Sequence, residues 1–274
     1  MTVRAVVKEI PSFNNDIDVI RSESLVGGCG YEAVRIPHLL AFPYVLMCPV
    51  GSGVYGDYVS GELEKIGIKV YAQSNELAGC MYELTDEKGS STAFINPGCE
   101  YSFSYADMQD IDPEEVYCVI VSSEVLAYDD GEEVLAAIED LGKPVYFFHG
   151  ERFIEVSDDA LERLADLKPV MVLSESDARE YAQDYPLEHI HAFTGNDVLL
   201  LRQNEGVVWF DGNESRMVPY RDTMSLWTFV GAYVCARESG VDIGNGILFA
   251  CEACDISRSG VDLKKRLAGM ILGH

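Results

Sequence analysis

The sequence predicts an α/β protein with a mostly parallel sheet, helices on both of its faces and a small half-exposed β appendage. Three observations carry this. From residue 116 onward, short β-branched runs alternate with amphipathic, capped segments, the pattern of a parallel sheet covered by helices. The first hundred residues hold strands with polar alternation instead, as in a sheet with one solvated face. The chain has 274 residues, 48% hydrophobic and 24% charged, the make-up of a globular protein that buries a full core without staples.

The elements follow in order. Val3–Ile10 and Asp16–Arg21 read as short strands around a PSFNN turn. Gly27-Gly28-Cys29-Gly30 leads into a helical stretch, Tyr31–Leu40. Tyr44–Cys48 reads as an apolar strand, Gly51–Gly56 as a glycine-rich loop, and Asp57–Ile66 as a helix closed by Gly67. Lys69–Ala72, Gly79–Thr85 and Ser91–Asn96 read as half-exposed strands. In the second part, strands at Val116–Val121, Val145–Phe148 and Val170–Leu173 alternate with helices at Asp129–Leu141, Ser157–Lys168 and Ser174–Tyr185. Gly142 closes the first of these helices. Asp158 and Asp159 suit the first turn of the second, and Ser174 with Asp177 has capping-box spacing at the start of the third. A further strand is expected near Ile190–Phe193. Val198–Leu201 and Val207–Phe210 flank QNEG, a hairpin signal. After the Asp211-Gly212-Asn213 turn come helices at Met224–Ala236, Ile247–Cys254 and Val261–Ile271. No linker, internal repeat or low-complexity stretch interrupts the pattern.

Charge narrows the function classes. Lys and Arg number 20 against 46 Asp and Glu, a formal charge of −26. Such a surface repels phosphate backbones and anionic lipid, so neither nucleic acid nor membrane is an expected partner. A polyphosphate ligand would need a local site of backbone N–H groups, metal and a few cations. No apolar run reaches the roughly 18 residues of a membrane span, and the N-terminus lacks the apolar stretch of a secretory signal. Eight cysteines are scattered without disulfide spacing, which predicts free thiols in a reducing cytoplasm. Cys251 and Cys254 form a C-x-x-C in an apolar helical stretch, read as core thiols.

Four stretches resemble the ribokinase-type (PfkB) carbohydrate kinases. Gly27-Gly28-Cys29-Gly30-Tyr31-Glu32-Ala33 is similar to G-G-x-x-x-N-x-A. Val50-Gly51-Ser52-Gly53-Val54-Tyr55-Gly56, with Leu63, Gly67 and Ile68, is similar to V-G-x-D-x-x-G…L…G-[VI]. Asp86–Ala93 resembles the acidic-Gly turn of a lid hairpin. The fourth is the order strand, S-E-S-D, strand, T-G, hairpin, long apolar helix. The resemblance spans nearly the whole chain. It implies a single ribokinase-like domain over 1–274, a three-layer α/β/α sandwich with a mostly parallel central sheet and a small β-sheet lid. The lid segments fall at about 3–25 and 79–105. It implies transfer of the ATP γ-phosphate, with Mg2+, to a sugar or nucleoside hydroxyl, and a homodimer paired through the lid. Within that family a G-A-G-D turn holds the phosphoryl charge on backbone N–H groups, and its Asp takes the proton of the attacking hydroxyl.

The departures fall on the chemistry. Aligned on Phe229, the catalytic Asp position holds Trp227, which accepts no proton, and the two glycines are Met224 and Leu226. Asp222 is the candidate displaced base, or with Thr223 simply a helix cap. Ser225 is the remaining candidate of that turn for the nucleotide. N-x-x-E becomes Ser174-x-x-Asp177, making Asp177 the candidate magnesium ligand. Thr194, Gly195 and Asn196 are the candidate nucleotide turn, and Gly27, Gly28 and Glu32 the candidate sugar contacts, with Glu32 in place of the family's Asn. His149, in His149-Gly150-Glu151, is a candidate acid–base group. The opening also departs. Val3–Leu25 resembles the lid segment that follows a first core strand, which leaves that strand missing. In the alternative alignment Val3–Ile10 is the core strand, and Asp16 or Asp18 is the sugar-binding acid. Phe42, Tyr44, Tyr55, Tyr58, Tyr101, Phe103 and Tyr105 are candidates for a ligand pocket, a lid–lid surface or ordinary packing.

Overall fold

A computed structural model of the chain describes residues 1–10, 16–150, 152–181, 187–222, 224–255 and 262–272. The PSFNN turn, Glu151, the end of the helix read to Tyr185, Thr223 and Val261 lie outside the described residues. The chain divides into two compact units, one of residues 1–31 and 45–102, the other of residues 32–44 and 103–274.

In the smaller unit, β1 (Thr2–Val7), β2 (Val19–Leu25), β5 (Cys80–Asp86) and β6 (Ser91–Asn96) form a sheet in the order β2-β1-β5-β6. Pairs β1–β2 and β5–β6 are antiparallel, and β1 runs parallel to β5. Of the two readings of the N-terminus, β1 therefore joins the small sheet. One face carries Val3, Ala5, Val7, Leu84 and Phe94, and the other an Arg4–Glu83 ion pair at 2.8 Å. The same unit holds β3 (Val50–Ser52), β4 (Gln73–Leu77) and α2 (Gly53–Ile66). Here the sequence reading is corrected. Tyr44–Cys48 makes only an isolated bridge, Leu46 to Val70, and the parallel pair is β3–β4. The glycine-rich stretch is itself the strand and helix start. A Cβ on Gly51 would meet Ala78 N at 2.8 Å and collide with Cys99 Sγ, so only glycine lets the strand pass there.

The larger unit carries the six-stranded sheet. Its order is β12-β11-β10-β9-β8-β7, with β7 (Val119–Ser122), β8 (Val145–Phe148), β9 (Val170–Ser174) and β10 (Val198–Arg202) all parallel. β11 (Gly206–Phe210) and β12 (Ser215–Pro219) return antiparallel. The β12 edge strand, mostly exposed and ended by Pro219, was not anticipated, because it lacks an apolar alternation. α5 (Gly131–Leu141), α6 (Asp158–Asp166) and α8 (Leu187–Thr194) cover one face through Leu135, Ile138, Leu164 and Ile190. α9 (Leu226–Glu238) and α10 (Ile243–Cys254) cover the other, where Tyr233 meets Tyr146 edge to face. The remaining helices used below are α1 (Cys29–Leu40), α4 (Ser123–Leu126), α7 (Glu175–Tyr181) and α11 (Leu263–Leu272).

Local chemistry fixes these helices. Ser157 accepts from Ala160 N–H at the start of α6, and Asp242 from Asn245 N–H at the start of α10, each satisfying an orphan amide of the first turn. Gly142 ends α5 at φ 60°. α9 buries nine of its thirteen residues, so it is apolar all round and reads as a core helix. It crosses α1 closely, since a Cβ on Gly231 would overlap the Ala33 carbonyl. The strand expected at Ile190–Phe193 is wrong. Those residues lie in α8, with Ile190 and Thr194 buried on one helical face. A four-residue apolar run fits either periodicity, and the i, i+4 burial decided it.

Candidate functional site

Because β7 to β10 are parallel, their C-terminal ends lie along one side of the sheet, where open α/β sheets place their ligands. Ser122, His149, Ser174 and Arg202 mark these ends. The N-terminus of α9 sits over them. Trp227 in its first turn packs edge-on against Phe148, ring centroids 4.1 Å apart, and Met224 just before it is held by Gln203 just after β10.

The turn before α9 is closed by the protein's own groups. Met224 N–H donates to Gln203 Oε1 at 2.8 Å, and Gln203 Nε2 donates back to the Met224 carbonyl at 3.0 Å. Ser225 is the N-cap, accepting weakly from Thr228 N–H at 3.5 Å. Thr228 Oγ1 donates to Glu32 Oε2 at 3.2 Å, and the same oxygen takes Arg35 Nη1 at 2.7 Å. The first turn of α9 contains no acidic residue of its own. A carboxylate from α1 thus lies where the helix dipole favours an anion. Arg35 is engaged by Glu32, and Arg202 by Glu175 at 3.2 Å and Glu205 at 3.1 Å.

The other sequence-derived candidates divide. Asp177 is buried and its carboxylate accepts from Ser174 N–H at 2.8 Å, while Ser174 Oγ accepts from Asp177 N–H at 3.2 Å. That is a reciprocal capping box at the start of α7. Asp222 presents its carbonyl to Asn204 N–H at 3.3 Å in the β10–β11 turn. Thr194, Gly195 and Asn196 end α8. Thr194 Oγ1 donates to the Ile190 carbonyl at 3.2 Å, Gly195 takes φ 64°, and Asn196 Nδ2 donates to the Lys168 carbonyl at 2.8 Å. This turn precedes β10, so it lies at the opposite end of the strands from the α9 turn. The residue that does stand at the C-terminal end of β10 is Gln203. The QNEG hairpin held it, and only its contact with Met224 reveals its part. In the smaller unit, Gly28 takes φ 108°, and a Cβ on Gly27 would collide with Thr2 Oγ1. The seven aromatics separate. Tyr55, Tyr58 and Tyr101 belong to the smaller unit and Phe42, Tyr44, Phe103 and Tyr105 to the larger.

His149, directly after β8, is 1% exposed, its ring stacked on Phe153 with centroids 4.3 Å apart. Burial pushes its pKa down to about 4, so it stands as neutral imidazole at neutral pH. Beside it a cavity of about 120 Å³ is lined by Leu161, Met171, Leu173, Ile190 and Phe193. Behind it, Gly150 N–H donates to Ser123 Oγ at 2.9 Å, and a Cβ on Gly150 would collide with the buried Glu124 carboxyl of α4. Among the described residues no three His, Cys, Asp or Glu side chains gather to hold a metal ion. Nor is any helix long and apolar enough to cross a membrane. All eight cysteines are free thiols.

No family model matches the chain, and no curated protein matches it. Solved structures do. A ribokinase from Thermotoga maritima superposes with TM-score 0.77 at 17% identity, over 100% of this chain and 96% of that one. A ribokinase from Arabidopsis thaliana complexed with ribose and ATP gives 0.72 at 16%, over 99% and 95%. A nucleoside kinase from Burkholderia thailandensis in complex with inosine gives 0.72 at 14%, over 98% and 93%. The chain has the ribokinase-like α/β fold, with helices on both sides of a mostly parallel sheet.

Proposed function

We propose that this protein is a non-phosphorylating relative of the ribokinase-type carbohydrate and nucleoside kinases. In this reading it binds a sugar- or nucleoside-like molecule and transfers no phosphate to it. The observation that carries the reading is Trp227 packed on Phe148 in the first turn of α9, where phosphoryl transfer needs a proton acceptor in reach of the substrate hydroxyl. The surrounding groups agree. An anion hole works through preorganised N–H donors, and the Met224 amide is spent on Gln203 while Glu32 brings a carboxylate onto Thr228. Asp177, the residue left for magnesium, is folded into its capping box. These residues do not fit a magnesium triphosphate. The four-stranded sheet is the lid in this reading, and Gly27 and Gly28 lead into the helix that carries Glu32.

The test measures ADP release with Mg·ATP and a panel of pentoses, hexoses and nucleosides, alongside thermal unfolding with each compound alone. The expected result is no ADP above the uncatalysed rate, and a Tm rise with one class of compound. A ligand at a hundred times its Kd stabilises by about 2.7 kcal/mol. A second reading, a working kinase using Asp222 as base, draws on the match along 96% of a ribokinase. Turnover that Asp222→Ala abolishes would establish that second reading and overturn the first.

A further inference from the structure

The C-x-x-C of α10 is not used by any of the chemistry above, yet both of its thiols converge on the turn before α9. Cys251 Sγ lies 3.4 Å from Met224 Sδ, and Cys254 Sγ lies 3.6 Å from the carbonyl oxygen of the next residue, Ser225. Residues three apart on a helix share a face, so both cysteines point at one short stretch of chain. That stretch is fixed, because Gln203 holds Met224 by both its amide and its carbonyl. Cys251 and Met224 are buried and Cys254 is partly exposed, so the cluster reaches solvent at Cys254.

We propose that Met224, Cys251 and Cys254 form a three-sulfur site for a soft monovalent cation of the copper(I) class. The donor set selects the metal. Two thiolates and a thioether suit copper(I), whereas magnesium and calcium call for oxygen ligands and zinc for nitrogen or additional thiolate. Each cysteine that ligates does so as thiolate and releases a proton to solvent on binding. No electron is transferred, as the metal enters and leaves as copper(I). The site is independent of whether the protein phosphorylates a substrate.

The experiment is anaerobic titration of the full chain with copper(I) against a chromophoric copper(I) chelator, with X-ray absorption at the copper edge. One copper per chain is expected, in a shell of three sulfurs. The near-isosteric Met224→Leu should weaken retention about tenfold or more and reduce the shell to two sulfurs. Cys251→Ser with Cys254→Ser should abolish the site, while a paired Cys48→Ser, Cys80→Ser variant retains it. The proposal is overturned by absence of retention in the wild-type chain, by retention that survives the Cys251/Cys254 double change, or by a copper shell unaltered in Met224→Leu. Met224→Leu keeps both thiols and the apolar volume, so it reports on the thioether even where the double variant folds poorly.

Discussion

Acidification should unfold this protein partly through one imidazole. His149 is held near pKa 4 by burial against an ordinary 6.5, so between those values the unfolded chain binds a proton that the folded chain refuses. The stability contributed by the neutral buried ring is thus fully present above pH 6.5 and lost as pH falls toward 4. At pH 5 the gap spans one and a half units, about 2 kcal/mol at roughly 1.4 kcal/mol per unit. The full shift is worth about 3 kcal/mol. The bulk charge works in the opposite direction, since titrating some of the 46 acidic residues relieves self-repulsion. The assay must therefore be a double difference. Urea unfolding of wild type and His149→Gln at pH 7.5 and 5.0 cancels the common carboxylate effect. Wild type should lose about 2 kcal/mol more than the variant over that interval. Equal losses within 0.5 kcal/mol, or about that, would refute the reasoning, because 2 kcal/mol is well above the extrapolation error. So would an NMR titration of the His149 ring with a midpoint near its ordinary value, a readout that holds even where the variant is poorly folded.

Three further outcomes are expected. Gly231→Ala should lower stability by about 2–3 kcal/mol in chemical unfolding, because the added methyl overlaps the Ala33 carbonyl and α9 cannot slide within a filled core; a neutral result would mean that α1 and α9 do not cross there. Gln203→Leu should cost about 2 kcal/mol, as it strips the Met224 amide and carbonyl of their partner, and a Tm unchanged within a degree or so would contradict the clamp. Trp227→Asp should lower Tm without raising ADP release, since the new carboxylate replaces the ring packed on Phe148 at a turn whose Met224 amide is still engaged; measurable sugar-dependent turnover in that variant would show that a single residue had silenced the site.

The architecture was legible because the second half of the chain is locally consistent. Val145–Phe148 is β-branched and aromatic, Val170–Leu173 is a short apolar run, Asp158 and Asp159 suit a first helical turn, and Gly142 sits where a left-handed closure is needed. Errors arose where tertiary context outweighed pattern. Ile190–Phe193 is too short a run to separate helix from strand, and the strand at Gly51 is paired through a glycine that no propensity favours. The site was half legible. That Trp227 stands at the start of the long apolar helix follows from the sequence order alone, but the contact made by Gln203 does not. It depends on the C-terminal end of β10 meeting a residue 21 positions later. Thr194-Gly195-Asn196 misled for the same kind of reason. A T-G turn looks alike at either end of a strand, and only the topology shows that this one terminates α8.

In the proposed non-phosphorylating reading, the contacts around α9 form one arrangement rather than three separate departures. Phosphoryl transfer asks this turn for a base, for positive potential and for backbone donors that approach the ligand closely. Trp227, where the proposed reading has no base, packs its ring against Phe148. Glu32 cancels the potential, with Arg35 neutralising Glu32 in turn. Gln203 consumes the Met224 donor. Each replacement is satisfied by a partner, so the turn is stable without a bound anion, and reverting any one of them leaves a buried group without its contact. α9 itself does not depend on this turn, because its burial against the sheet and α10 is carried by Phe229, Val230 and Tyr233. The core can therefore keep the ribokinase-like fold whatever the turn at its edge does, so the fold by itself does not decide the chemistry.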